Sequence, residues 1–188
     1  MEKRGGSMGS MEVVETKLKG VYIVKNHVFT DARGTFTKIY NEELFNKFSI
    51  CTDFKESYYT VSKRGVIRGM HFQIPPYDHN KLVYVPKGKI KDVILDLRKK
   101  SKTYKKFITV ELSDSNGYSV YIPKGLAHGF NSLVDDTITV YQVSTVYNPN
   151  YDSGVRWDSI GMDWEVDKPI ISDRDMKFCE LKDLKNLW

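Results

Sequence analysis

Gly65-Val66-Ile67-Arg68-Gly69-Met70-His71-Phe72-Gln73 sets an arginine and a histidine three residues apart in what reads as a buried strand. Side chains alternate between the two faces of a strand, so an odd separation sends Arg68 and His71 to opposite sides if pairing is regular. Gly69 between them relaxes that rule through a bulge or kink, which turns both groups toward one cavity. A cationic anchor beside a titratable base suits an enzyme that handles an anionic substrate. Taken alone, a strand histidine is more often a hydrogen-bonded structural residue.

Working outward, the chain has 188 residues, enough for one domain with a substantial core. Hydrophobic residues make up 40% and aromatics 13%, a globular and strand-friendly balance. The formal charge is +5, with short basic clusters at Arg98-Lys99-Lys100-Ser101-Lys102 and Lys105-Lys106 and no dense stripe or nucleic-acid module. The charge is therefore read as solubility or attraction to a phosphate-bearing small molecule, and nucleic acid is not an expected partner. Cys51 and Cys179 stand in no metal-ligand spacing and read as reduced thiols. No apolar run is long enough to span a bilayer. The Gly/Ser-rich residues 1–10 read as a disordered leader or cloning remnant before a single domain at 11–188, and a cytoplasmic location is expected.

Short segments rich in β-branched and aromatic residues recur at even spacing. They are Val21–Val24, Phe36–Tyr40, Ser57–Val61, Lys81–Pro86, Ile90–Leu97, Phe107–Leu112, Tyr118–Ile122 and Ile138–Val146. Pro75-Pro76, Lys87-Gly88, Ser113–Gly117 and Asp135-Asp136 punctuate them with turn chemistry. Residues 41–48 predict a short helix with an asparagine cap and an acidic first turn, and Phe178–Trp188 is marked as a second short helical segment. The pattern is mainly β, and a jelly roll with short peripheral helices accommodates it.

The run Gly117-x5-Pro123-x-Gly125-x-Ala127-His128-x3-Ser132 resembles the second motif of the cupin superfamily, with Ser132 at the usual asparagine position. The first cupin motif is matched by Gly65 and His71. Gln73 stands where a second histidine is expected, and Tyr77 where a glutamate is. A transition metal would lose two of its usual four ligands, so a metal-free barrel with two histidines in its mouth is the reading. Tyr141 and Tyr147 are six residues apart and are expected on one face of a single strand, as substrate or core groups. Ile170–Asp175 is a charged cluster whose plain reading is a solvated turn.

Taken in order, nine pieces from about Gly20 to Asp175 resemble the dTDP-4-dehydrorhamnose 3,5-epimerase family. They include Phe29-x-Asp31-x-Arg33-Gly34, Val66–Gln73, Lys81-Leu82-Val83, Asp92-Val93-x-x-Asp96-Leu97-Arg98, Ile122–Phe130, the Tyr141/Tyr147 segment, Gly154–Asp158, Asp163-Trp164 and Ser172–Asp175. The resemblance implies a metal-free, cofactor-free cupin-type double-stranded β-helix, as a homodimer, acting on a nucleoside-diphosphate 4-keto-6-deoxyhexose. A C4 ketone acidifies the hydrogens at C3 and C5, and inversion needs a base on one face and an acid on the other. By resemblance His71 is the base, oriented by Asp175; Tyr141 is the acid; Lys81 stabilises the oxyanion at O4; and His128 assists. Arg33 and Arg68 are implied as diphosphate and sugar anchors and Tyr147 as a stacking platform for the nucleobase.

This chain departs from the family pattern upstream of the histidine motif. Glu56-Ser57-Tyr58 stands where members acting on dTDP sugars carry Gln-x-Asn. Glu56 and Tyr58 are therefore expected in the substrate lining, where a carboxylate repels a diphosphate unless it meets a hydroxyl or an amino group. Two further readings stay open: a C3-only or C5-only epimerase of a CDP- or GDP-linked 4-keto sugar, and a non-catalytic nucleotide-sugar-binding cupin.

Overall fold

The computed structural model describes residues 11–185 and 187–188. The expected leader at 1–10 lies outside them. The first strands are β1 (Glu12–Glu15), β2 (Tyr22–Lys25), β3 (Val28–Asp31) and β4 (Gly34–Thr37), followed by the helix α1 (Glu42–Lys47). The central strands are β5 (Glu56–Ser62), β6 (Ile67–Gln73), β7 (Lys81–Lys87), β8 (Lys89–Asp96), β9 (Phe107–Ser113) and β10 (Tyr118–Ile122). Then come β11 (Leu126–Ser132), β12 (Thr137–Val143), β13 (Asp152–Gly154) and a short helix α2 (Asp173–Met176).

Two antiparallel sheets face each other. One runs β1-β2-β10-β7-β12-β5 and the other β13-β6-β11-β8-β9, while β3 and β4 form a separate two-stranded hairpin. Alternation explains the core between them. Val83 and Val85 from β7, Ile90 and Ile94 from β8, and Leu126 and Phe130 from β11 all point inward and form one buried cluster. The residues between them on the second sheet, including Val93, Leu95 and Ala127, pack on its other face against Val155, Ile160 and Trp164 of the C-terminal segment. Covered on both sides, β11 is buried along its whole length.

α1 forms where the sequence predicts it. Asn41 accepts a hydrogen bond from the Leu44 N–H, Glu42 and Glu43 occupy the first turn, and Phe45 is buried against Leu82 and Tyr121. Three expectations need correction. The strand placed at Phe36–Tyr40 ends at Thr37, and its hairpin partner β3 had gone unread. The strand placed at Ile138–Val146 ends at Val143, where the chain bends at Ser144-Thr145 ahead of a turn at Asn148–Tyr151. Among its described residues, Phe178–Trp188 holds only a single 3-10 turn at Leu181–Asp183, anchored by Leu181 in the core and by Trp188 packed edge-on to Phe72.

Gly69 turns the alternation of β6. Its φ is 136°, and a Cβ there would sit 2.6 Å from Gly129 Cα on the neighbouring strand. The β6–β11 ladder shifts register at this point, between His128 and Phe130. As a result Ile67 and Met70, three apart, both face the outer cluster, while Arg68 and His71 both face the space between the sheets. Only a residue without a side chain tolerates both this φ and this approach.

Candidate active site

Between the sheets lies a cavity of about 390 Å³. β5 supplies Glu56, Tyr58 and Thr60; β6 supplies Arg68, His71 and Gln73; β7 supplies Lys81; β11 supplies His128; and β12 supplies Tyr141. Tyr147, Asp152 and Arg174 close its rim. Of the ten residues singled out from the sequence around this site, eight line the cavity, Asp175 stands directly behind it, and Arg33 does not reach it.

His71 Nε2 lies 2.8 Å from Asp175 Oδ1. A carboxylate only accepts, so the ring proton sits on Nε2 and the Nδ1 lone pair is left for proton abstraction. Asp175 Oδ2 accepts a 3.0 Å bond from the Gly69 N–H, so both of its oxygens are committed within the strand that carries the histidine. The charged cluster read as a solvated turn is in fact the capped start of α2. Ser172 accepts from the Asp175 N–H, and Asp175 is buried at 3% exposure. Burial pushes the Asp175 carboxyl up, but the hydrogen bonds and charge of His71, with the Gly69 and Ser172 bonds, outweigh it and hold the carboxyl below its usual value. His71 is pulled below its ordinary value by burial, against the upward influence of Asp175, so it is neutral at pH 7. The Phe178 ring meets the imidazole edge-on at 5.8 Å and limits its rotation.

Lys81 is buried and donates to the His71 carbonyl at 3.4 Å. Burial brings its ammonium down to about 8, with Asp152 and Asp92 opposing that shift. Tyr141 is buried on β12, and burial pushes its phenol far up, so it stays protonated at any working pH. Tyr58, its partner in the β5–β12 ladder, stacks on it with ring centroids 4.9 Å apart and 20° between planes. Burial raises Tyr58 itself to about 12. Glu56 accepts a 2.8 Å bond from the Tyr147 N–H, so its carboxylate anchors the segment after β12. Tyr147 lies beyond the end of that strand, a correction to its expected place beside Tyr141, yet it still lines the same cavity.

His128 Nε2 lies 2.6 Å from Asp92 Oδ1, and both residues are buried. Asp92 points inward between Ile90 and Ile94 on β8, an unusual residue at a core position of a strand. Each imidazole is thus engaged by its own carboxylate. No cluster of three or more His, Cys, Asp or Glu able to hold a metal ion occurs among the described residues. Arg68 donates from Nε to Ser62 Oγ and from Nη2 to the Val61 carbonyl, which fixes its stem along β5.

Arg33 stands on the β3–β4 hairpin, paired with Asp31 at 2.6 Å, its side chain 90% exposed. Five polar lining residues were not singled out from the sequence as site residues. Thr60, His79 and Asp152 sit in runs with no local signature, Gln73 was read only as the replacement of a second cupin histidine, and Arg174 only as part of a solvated turn. Asp152 and Arg174 pair at 2.7 Å on the rim.

Comparison with known proteins agrees with this geometry. The family model described as dTDP-4-dehydrorhamnose 3,5-epimerase matches residues 15–183. A curated protein of that description from Methanothermobacter thermautotrophicus is 41% identical over 181 residues, covering 94% of this chain and 97% of the relative. The crystal structure of the Bacillus anthracis epimerase with TDP and pyrophosphate bound superposes with a TM-score of 0.88. It is 38% identical, over 92% of this chain and 100% of that one. The Legionella pneumophila enzyme in complex with dTDP-4-keto-L-rhamnose also gives 0.88, at 27% identity over 94% and 95%.

Proposed function

This chain belongs to the dTDP-4-dehydrorhamnose 3,5-epimerase family, and from that premise we propose how its cavity divides the labour of the reaction. The protein is a sugar-nucleotide epimerase of deoxysugar biosynthesis, with the cupin-type jelly roll of that family. In the mechanism we propose, His71 Nδ1 removes the proton next to the C4 ketone, and Asp175 steadies the imidazolium that forms. Lys81 compensates the negative charge growing on O4, where a buried ammonium counts for more than one in water. Tyr141 returns a proton from the opposite face to the enolate carbon. Because the phenol is protonated and the imidazole neutral at pH 7, acid and base begin in the states the reaction requires. The 2.8 Å His71–Asp175 pair, facing the same cavity as Lys81 and Tyr141, carries this reading.

Arg68 and Tyr147 suit the diphosphate and the base of the nucleotide, with His128 beside the sugar. A dTDP-linked substrate is favoured by the nucleotide-bound relatives; Glu56 and Tyr58 in the lining are what favour the second reading, a single-carbon epimerase of another nucleotide sugar. Solvent deuterium wash-in at C3 and C5, followed by NMR across dTDP-, CDP- and GDP-linked 4-keto sugars, tests both. Exchange at both carbons with the dTDP sugar is expected. Label at one carbon only sinks the double epimerisation, and no label with any sugar sinks the enzyme reading.

We also propose a homodimer. The β3–β4 hairpin exposes Phe36, and the edge strand β5 exposes Tyr59 and Val61. Arg33 on that hairpin can serve as a substrate anchor only in the cavity of a second copy. Sedimentation analysis at twice the chain mass is the expected result. No helix among the described residues is long and apolar enough to cross a membrane. A single domain at 11–188 and a cytoplasmic location belong to the same proposal.

A further inference from the structure

His79 lines the cavity, yet the mechanism above leaves it idle. Its position follows from the ladder. Lys81 on β7 faces Val143 on β12, and the pairing continues past both strand ends. The Ser144 N–H donates to the Asn80 carbonyl at 3.1 Å and the Asn80 N–H donates to Ser144 Oγ at 2.9 Å. Alternation then puts His79 on the same face as Lys81, one pleat further along and roughly 7 Å away along the strand.

The tautomer can be derived from its neighbours. The Asn148 N–H donates to Gln73 Oε1 at 2.7 Å, which fixes the orientation of that amide. Gln73 Nε2 is therefore a donor, to the Tyr77 carbonyl at 2.9 Å and to His79 Nδ1 at 3.2 Å. Thr145 Oγ1 lies 3.1 Å from the same Nδ1, and the tautomer in which Nδ1 accepts from both the amide and the hydroxyl puts the ring proton on Nε2. That Nε2 is buried and has no hydrogen-bond partner. A buried donor left unpaired is costly, and it recurs in proteins mainly where a ligand or a bound water completes it.

We propose that the His79 Nε2–H is a second hydrogen-bond donor to the sugar oxygens of the substrate, acting beside Lys81. This rests on the epimerase reading of the same cavity. Burial pulls His79 down to about 3, helped by Lys81 and Lys124, so the ring is a neutral donor throughout the working range. It does not compete with His71 for protons. A neutral donor can bond a hydroxyl or carbonyl oxygen without adding a third positive charge next to Lys81 and Arg174.

The test is kinetic. His79→Phe keeps a flat ring and loses the donor; His79→Gln restores an N–H. With a dTDP-linked 4-keto-6-deoxyhexose, kcat/KM of H79F is expected to fall about 10- to 100-fold. The Kd for dTDP alone should stay within about twofold of wild type, and H79Q should recover most of the loss. Unchanged kcat/KM in H79F, or a parallel loss of dTDP binding, overturns the proposal in favour of a purely structural role. If H79F fails to fold, ¹⁵N-histidine NMR of the wild-type protein decides. The His79 Nε2–H resonance should move on adding the sugar nucleotide and not on adding dTDP, and no movement with either overturns the proposal. His71→Ala run alongside separates the two claims, since exchange that survives in H71A refutes the base and leaves the His79 result to be judged by the NMR shift.

Discussion

His71 and His128 stand directly opposite one another in the β6–β11 ladder, and each is held by a carboxylate from another part of the chain, Asp175 at 2.8 Å and Asp92 at 2.6 Å. The two pairs differ in exposure: the His71 side chain is 27% exposed and the His128 side chain 3%. Proton exchange with a bound sugar therefore falls to the first pair, while the second builds the polar wall beside Tyr141, whose ring centroid is 5.9 Å from that of His128.

His71→Ala should abolish deuterium incorporation at the carbons flanking the ketone while far-UV circular dichroism stays native. Asp175→Asn should slow it by roughly 10²- to 10⁴-fold, the range of a well-placed general base with its orienting partner removed. Wild-type exchange in H71A would refute the assigned base.

The pH profile follows from the two shifted groups. His71 lies below 6.5 in the folded site, so the acidic limb of kcat/KM should fall below that value. Asp175 raises the His71 pKa, so Asp175→Asn should move this limb to still lower pH. The alkaline limb should appear near 8, where Lys81 loses its proton. A flat profile from pH 7 to 10 would remove Lys81 from the chemistry.

Lys81 should also cost stability. Its folded pKa of about 8 lies below the unfolded 10.5, so between these values the unfolded chain holds the extra proton and stability rises with pH. Below pH 8 the full cost of keeping the ammonium buried is present. Lys81→Met should raise Tm at pH 7 by about 4 °C or more while slowing exchange roughly 10²-fold. Calorimetry and the exchange assay on one sample check both halves.

Tyr141→Phe should leave proton abstraction measurable but reduce inverted product by roughly 10²-fold. Tyr58→Ala removes the ring stacked on the acid and should cost about 2- to 10-fold in kcat, the worth of one aromatic pair. Chiral analysis of product alongside solvent exchange separates the two steps.

Gly69→Ala should unfold or severely destabilise the protein. The added Cβ would meet Gly129 Cα at 2.6 Å and the His128 carbonyl at 3.1 Å, at a φ that side chains rarely adopt. A loss of about 3 kcal/mol or more is expected by urea denaturation. Near-native stability would mean that the two strands separate freely.

Much of this site was legible because its residues sit in motifs whose turn chemistry is local. Gly69 between Arg68 and His71 signalled a break in alternation, and Pro123-x-Gly125 signalled the turn into the strand of His128. The helix at 42–47 was legible from its cap and acidic first turn. What escaped was set by tertiary contact. Asp175 was reached only through the family resemblance, since nothing local signals its burial; in the fold it accepts from the Gly69 N–H and pairs with His71. His79 and Gln73 gain meaning only when the segments around Asn80 and Asn148 meet. Tyr147 was misplaced because residue spacing says which face of a strand a side chain takes and not where that strand ends.

The close approach of Gly69 and Gly129 bears on how such an enzyme diversifies. Backbone touches backbone there, so the pieces carrying His71, Arg68 and His128 are mutually locked and admit little variation. Glu56, Tyr58 and Tyr147 belong to an edge strand and a loop outside this lock. Substrate preference can therefore drift by substitution at the walls while the backbone that fixes His71 and His128 stays in place, so a library built on those three positions explores new sugars at a modest cost to the acid and the adjoining loop.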